Sequence, residues 1–179
     1  MSKFKLNIKD AFWDFFEVLI VCASIVGLTF WFVGQPVQVS GTSMNPSLKD
    51  KQQLIAEKLT YKLREPERGE VAIIKHPEYP SKLLIKRVIG LPGDTFEIRD
   101  GQVYINNSFL DEPYVPKNVI TRGKNKLKKK KKIKIPQDKY IVLGDNREDS
   151  ADSRNWGFID EGEIVGRASM VYAPITEFK

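Results

Sequence analysis

Apolar and polar positions follow two regimes along this chain, and they change over near residue 34. Phe15 to Val33 is an almost unbroken apolar run whose only charge is Glu17, with Trp13 and Trp31 near its ends. A helix rising about 1.5 Å per residue over that length crosses a hydrocarbon layer of roughly 30 Å, and tryptophan favours the water interface at each side. A cleavable signal peptide or a buried core helix fits less well. Asp14 and Glu17 stand at the entrance of the run, and no clean A-x-A site precedes Gln35-Pro36. The pattern predicts a tail at 1–14 and a retained transmembrane anchor at 15–33. Lys3, Lys5 and Lys9 precede the anchor, so the positive-inside tendency puts the N-terminus in the cytoplasm and the rest of the chain outside.

Beyond residue 34 the apolar stretches are short, separated by Gly, Pro and Asp, and carry no long 3.6-residue period. That pattern predicts a mainly β domain over 34–179. Strands are expected at Val37–Ser40, Gln53–Lys58, Glu70–Lys75, Leu83–Ile89, Thr95–Arg99, Gln102–Ile105, Tyr140–Leu143 and Ile164–Tyr172. Asp100-Gly101, set between two alternating runs, predicts a tight hairpin. A small β subdomain is expected at about 95–138. It includes the segment Lys124 to Lys134, which is dominated by lysine and whose self-repulsion predicts an extended, mobile loop.

Chemistry enters with a serine and a lysine. Ser43 lies in Ser40-Gly41-Thr42-Ser43-Met44-Asn45-Pro46, and Lys86 lies in the strand Leu83–Ile89. A serine hydroxyl is a weak nucleophile until a neighbour takes its proton, and an amine can do so only in its neutral form. Strand periodicity puts Leu84, Lys86 and Val88 on one face, and such apolar flanks lower an amine's pKa. The alternative is a lysine that snorkels to water. A third element, Gly144 to Arg154, is a polar run entered from the strand Tyr140–Leu143.

These three segments, in this order, resemble the boxes of the type I signal peptidases, which are membrane-anchored serine proteases. The serine box reads Gly41-Thr42-Ser43-Met44-Asn45-Pro46. The lysine box runs from Lys86-Arg87-Val88-Ile89-Gly90 to Asp94, and the third box is Gly144-Asp145-Asn146 through Ser150-Ala151-Asp152-Ser153-Arg154. The resemblance implies a signal-peptidase-type β-rich catalytic domain that cuts signal peptides from exported preproteins through an acyl-enzyme. In it Ser43 is the nucleophile and Lys86 the base. Ser150 holds the lysine amine by a hydrogen bond, Asp152 and Arg154 order the surrounding loop, and Arg87 pairs with Asp145. Val37, Val39, Met44, Leu48 and Ile85 match positions lining the shallow pockets for small residues one and three places before the cut; ordinary core packing is their alternative reading.

The backbone N–H of Ser43 is the first expected oxyanion donor. Gly41 stands where some members carry a second, a serine hydroxyl, so this chain resembles the glycine-bearing, small Gram-positive type and its second donor is left open. A G-x-S-x-G elbow fails because Asn45 takes the last glycine position, and the S-x-x-K match of Ser2 and Lys5 lies in the tail. A Ser/Lys self-cleaving repressor would carry a DNA-binding helix pair in place of the apolar run. A catalytically silent relative acting as a binding module would lack the serine or the lysine.

The remaining composition narrows partners and cofactors. Net charge is +6, from 29 Lys and Arg against 23 Asp and Glu. The lysine segment suits a solvated insertion or anionic lipid head groups, at about 1 kcal/mol per lysine near the surface. No aromatics interleave it, so nucleic acid is not an expected partner. Signal peptides, membrane lipid and proximity to the secretion translocon are. Cys22 is the single cysteine and His76 the single histidine, in a turn-like segment, so neither a disulfide nor a metal site is expected and no cofactor is implied. Arg147 and Arg154 interrupt the carboxylates Asp145, Asp149 and Asp152, which favours salt bridges over a calcium loop.

Overall fold

The computed structural model describes residues 8–32, 34–128 and 131–172. Helix α1 (Ile8–Phe32) leads into a mainly β domain. Its strands are β1 (Gln35–Gln38), β2 (Gln53–Glu57), β3 (Val71–Lys75), β4 (Leu83–Gly90), β5 (Thr95–Arg99), β6 (Gln102–Ile105), β7 (Ser108–Phe109), β8 (Ile133–Lys134), β9 (Lys139–Leu143), β10 (Ile159–Asp160) and β11 (Ile164–Tyr172). Two four-residue helices, α2 (Thr60–Leu63) and α3 (Ser153–Trp156), lie in the connections.

The strands form a seven-stranded sheet, ordered β1-β2-β11-β3-β4-β9-β10, and a four-stranded sheet, ordered β7-β6-β5-β8. Every pairing is antiparallel, as hairpin-rich connections dictate. The eight expected strands all form, with ends moved by one or two residues. β1 begins two residues before the expected Val37, and Pro36 is tolerated there because β1 lies at the end of its sheet. Asp100 (φ 50°) and Gly101 (φ 81°) both take the left-handed region that a tight β5–β6 hairpin needs.

Alternation along β4 explains how one strand serves two cores. Val88 packs with Ala72, Ile74 and Val142, while Ile85 packs with Val39, Met44, Leu54 and Ile73. Ile89 joins Phe96, Ile98 and Val103 in the core beneath the four-stranded sheet, across a register shift between Val88 and Gly90. β4 thus stays within the seven-stranded sheet, and its end reaches the core of the four-stranded one, with Lys86 and Arg87 upstream of that point.

Two expectations change. The lysine segment is held rather than free along its described part. Leu127 is buried, Lys124 N–H donates to Leu127 O (3.0 Å), Lys126 N–H donates to Arg154 O (3.0 Å), and Ile133–Lys134 pairs with β5. Backbone hydrogen bonds and one buried leucine outweigh the mutual repulsion of exposed ammonium groups. Lys129 and Lys130 lie outside the described residues. Second, α1 forms as one helix over the expected anchor, but among the described residues no helix is long and apolar enough to cross a membrane. Lys3, Lys5, Val33, the side chain of Trp31 and residues 173–179 lie outside the described set.

Candidate active site

Ser43 and Lys86, far apart in sequence, meet in space: the Lys86 amine donates to Ser43 Oγ at 2.7 Å and to Ile85 O at 3.0 Å. Lys86 stands opposite Ala72 of β3, and its side chain is almost fully buried. Burial pushes its pKa down to about 8; Asp152 and Asp145 pull it back up, and Lys82 and Arg154 add to the lowering. In its neutral form the amine presents a lone pair to the Ser43 hydroxyl, which then becomes the donor.

The serine segment is clamped by the loop that follows β9. Asn146 N–H donates to Ser43 O (3.0 Å), Asn146 Nδ2 donates to Thr42 O (3.2 Å) and Thr42 Oγ1 donates to Asp149 Oδ2 (2.9 Å). Gly41 has φ of +95° and donates its N–H to Asp50 Oδ1 at 2.8 Å, a conformation that a side chain at this position would strain. Sequence reading placed Asn146 in the third box and Asp149 among the loop carboxylates but foresaw neither one's contact with the serine segment, and it missed Asp50. Nothing local marks these contacts, because the partners are roughly a hundred residues away for the first two and in another turn for the third.

The expected support residues separate into those the structure pairs and one it does not. Arg87 grips Asp145 with two hydrogen bonds, Nε to Oδ1 at 2.8 Å and Nη2 to Oδ2 at 2.5 Å, while its Nη1 donates to Gly69 O. Arg154 holds Asp152 the same way, at 2.8 Å twice, and both side chains are fully buried. Asp152 also accepts from Gly144 N–H and caps α3. Ser150 departs from expectation. Among the described residues its buried hydroxyl has no hydrogen-bond partner, and the amine of Lys86 donates to Ser43 Oγ and Ile85 O instead. Ser150 Oγ packs into the space over Gly144, where a Cβ would come within 2.2 Å of it and within 2.5 Å of Ser43 O.

Beside the dyad lies a cleft of about 210 Å³, walled by Val37, Val39, Ser40 and Ile85 and floored by Ser43 and Lys86. Met44 and Leu48, expected to line it, are instead buried in the core behind Val39 and Ile85. A one-residue step along the chain turned Met44 inward while Ser43 faces the cleft. Leu83 and Leu84 supply further apolar wall. Among the described residues no group of His, Cys, Asp or Glu is placed to hold a metal ion.

Loss of the Arg87 side chain leaves the fully buried Asp145 carboxylate unpaired and removes a cation stacked 3.9 Å over the Tyr114 ring. Arg87→Ala is expected to cost about 3 kcal/mol or more, with activity falling alongside. An unchanged melting temperature would show that the Arg87–Asp145 pair does not hold the loop.

A two-sheet β domain with a serine in contact with a buried lysine of lowered pKa, beside a partly apolar cleft, defines a Ser/Lys peptidase class. Residues 12–173 match the family model described as signal peptidase, peptidase S26, and the chain belongs to that family. It is similar to the signal peptidase I of Bacillus licheniformis (34% identical, covering 97% of this chain and 95% of the relative). It is also similar to signal peptidase IB of Staphylococcus aureus (37%, covering 90% and 88%). With a probable signal peptidase I-2 of Synechocystis it shares 38% identity over 80% of its length, and spans 65% of that relative. The crystal structure of a signal peptidase I from Enterococcus faecalis matches with a TM-score of 0.51 at 32% identity, over 59% of this chain and 98% of the other.

Proposed function

We propose that the chain is a type I signal peptidase that cuts the N-terminal signal peptide from exported preproteins after small residues. The observation that carries this reading is the 2.7 Å contact between Ser43 Oγ and a buried Lys86 amine, inside a family whose members include signal peptidases. Ser43 attacks the carbonyl before the cut while Lys86 takes its proton; the leaving amine departs with that proton, and Lys86 then activates the water that opens the ester. Ser43 N–H is the first oxyanion donor. β1 ends its sheet beside the cleft, so an extended substrate adds along an open edge, and Val37, Val39 and Ile85 offer an apolar wall that suits small side chains.

The same reading makes α1 a single-pass anchor with the N-terminus cytoplasmic and the β domain outside. Its support is the exposure, over half in each case, of Phe15, Val18 and Val21, side chains that water does not favour. Head groups of the lipid and the secretion translocon are then neighbours of the site. The test is incubation of the detergent-solubilised protein with a signal-peptide-bearing precursor, read by the mass of the released fragment. A fragment beginning directly after an Ala-x-Ala sequence is expected; no cleavage, or cleavage elsewhere, overturns the reading.

The pH dependence follows from the lowered amine. Below its pKa Lys86 is an ammonium ion and cannot accept the Ser43 proton, so kcat/KM is expected to rise with pH along a limb centred near pH 8. Val88→Asp brings a carboxylate to the same strand face, favours the ammonium and moves that limb upward. The measurement is a pH-rate profile on a short Ala-x-Ala peptide. A limb near 10, unmoved by Val88→Asp, would show that the base is not a desolvated Lys86.

A further inference from the structure

The segment between β7 and β8 contributes no member of the dyad, yet it supplies the carboxylate on which the catalytic loop is built. Arg147 follows Asp145 and Asn146 in that loop, and its side chain is fully buried. Its guanidinium donates twice to Glu112, from Nη1 to Oε2 at 2.8 Å and from Nη2 to Oε1 at 2.6 Å. Nη1 also donates to Thr121 Oγ1 (2.8 Å), and Nε donates to Gly144 O (3.0 Å). Its own carbonyl accepts from Arg154 Nη1 at 2.8 Å, and Arg154 in turn holds Asp152. On its other side the Glu112 carboxylate accepts from Tyr114 Oη at 2.9 Å, and the Tyr114 ring carries the Arg87 guanidinium that grips Asp145.

We propose that Glu112 is a positioning residue for the Ser43–Lys86 pair. Through Arg147 it fixes the Gly144 carbonyl and the Arg154–Asp152 pair, and through Tyr114 it backs the Arg87–Asp145 pair. The inference rests on the reading of Ser43 and Lys86 as the dyad.

The geometry says why a strut is needed at this point. Without the Glu112 charge the buried Arg147 guanidinium keeps only Thr121 Oγ1, Gly144 O and the more distant Asp145 to offset its burial, and it then draws in water. The loop it holds has no slack at Gly144, where Ser150 Oγ and Ser43 O already fill the space of a Cβ. A shift of Gly144 therefore passes directly to the carbonyl of the nucleophile. The groups that face the Lys86 amine are Ser43, Asp152, Asp145, Lys82 and Arg154. Loosening removes the two carboxylates that raise its pKa but also admits water. Burial is the largest influence on that amine, so the net movement is upward, toward the ordinary lysine value.

The experiment compares the full-length protein in detergent as wild type, Glu112→Gln, Glu112→Asp, Tyr114→Phe and Ser43→Ala, with kcat and KM taken separately across pH and melting temperature recorded for each. Glu112→Gln is expected to lower kcat by about tenfold or more with KM within about twofold of wild type. It is also expected to move the basic limb upward, and Glu112→Asp to recover part of both. Tyr114→Phe, which keeps the ring under Arg87 and removes only the hydroxyl, is expected to give a smaller loss of kcat in the same direction; it decides the matter if Glu112→Gln does not fold. A folded Glu112→Gln with wild-type kcat and limb, a fall in melting temperature with kcat and limb unchanged, or a rise in KM alone would overturn the proposal. Continued cleavage by Ser43→Ala would instead overturn the dyad on which it rests.

Discussion

Precursor cleavage is expected to disappear in both Ser43→Ala and Lys86→Ala, with rates lower by about 10⁴-fold or more and the fold retained. Ser43→Ala removes the side-chain oxygen bonded to the buried amine and leaves it only the Ile85 carbonyl, and no second hydroxyl takes its place, because among the described residues the Ser150 hydroxyl is not hydrogen-bonded to Lys86. Lys86→Ala removes the base and leaves Ser43 with no hydrogen-bonded proton acceptor. Neither change should unfold the domain. Ser43 is partly exposed at the cleft, and the Lys86 amine is a group that burial penalises, so its loss relieves a desolvation cost that offsets the cavity left behind. The check is precursor processing together with circular dichroism and melting temperature for each purified variant. Near wild-type processing by either folded variant would show that the pair is not the dyad.

Asp152→Ala is the variant expected to cost the most stability, about 3–5 kcal/mol, and to lose activity with it. It leaves the Arg154 guanidinium, fully buried, without its carboxylate. It also strips an acceptor from Gly144 N–H and the cap from α3. Burial pushes the Asp152 carboxyl up, but the hydrogen bonds and charge of Arg154, with the N–H groups of Gly144 and Arg154, outweigh it and hold the group below the ordinary carboxylate range. Its stabilisation is therefore complete above the ordinary aspartate pKa near 3.9 and is lost as pH falls through the lower, folded value. Chemical denaturation across pH checks this: the gap between wild type and Asp152→Ala should be widest near neutrality and narrow in acid. A gap that does not change with pH would show that the carboxylate charge is not what stabilises the loop.

How much of this was readable from the chain depends on the range over which each signal acts. The β4 alternation put Lys86 between Leu84 and Val88, and the structure buries it there with Val88 fully covered, because strand periodicity is a property of the backbone alone. Asp100-Gly101 specified its hairpin for the same local reason. The residues that resemble the serine, lysine and third boxes meet in one place, including the pairs Arg87–Asp145 and Arg154–Asp152.

Other features were beyond any local signal. Met44 and Leu48 were expected in the cleft and lie in the core, since which face of an irregular turn points inward depends on what packs over it. Ser150 was expected on the lysine amine, but its hydroxyl packs over Gly144. The lysine segment was expected to be free and is tied by backbone bonds to Arg154, a partner that charge pattern does not disclose. Glu112 and Arg147 carry no mark in the sequence that they belong together.

The sequence by itself determined the strands, the turn between β5 and β6, and the residue types of the dyad and its ion pairs, because these follow from side-chain alternation, backbone preference and motif chemistry. Only the tertiary structure decided that Glu112 meets Arg147, which apolar side chains face the cleft, and how deeply the Lys86 amine is buried. Those outcomes depend on how β4, the neighbouring core and the loop after β9 pack together, and burial is set by the whole arrangement of atoms around a group rather than by its neighbours in the chain.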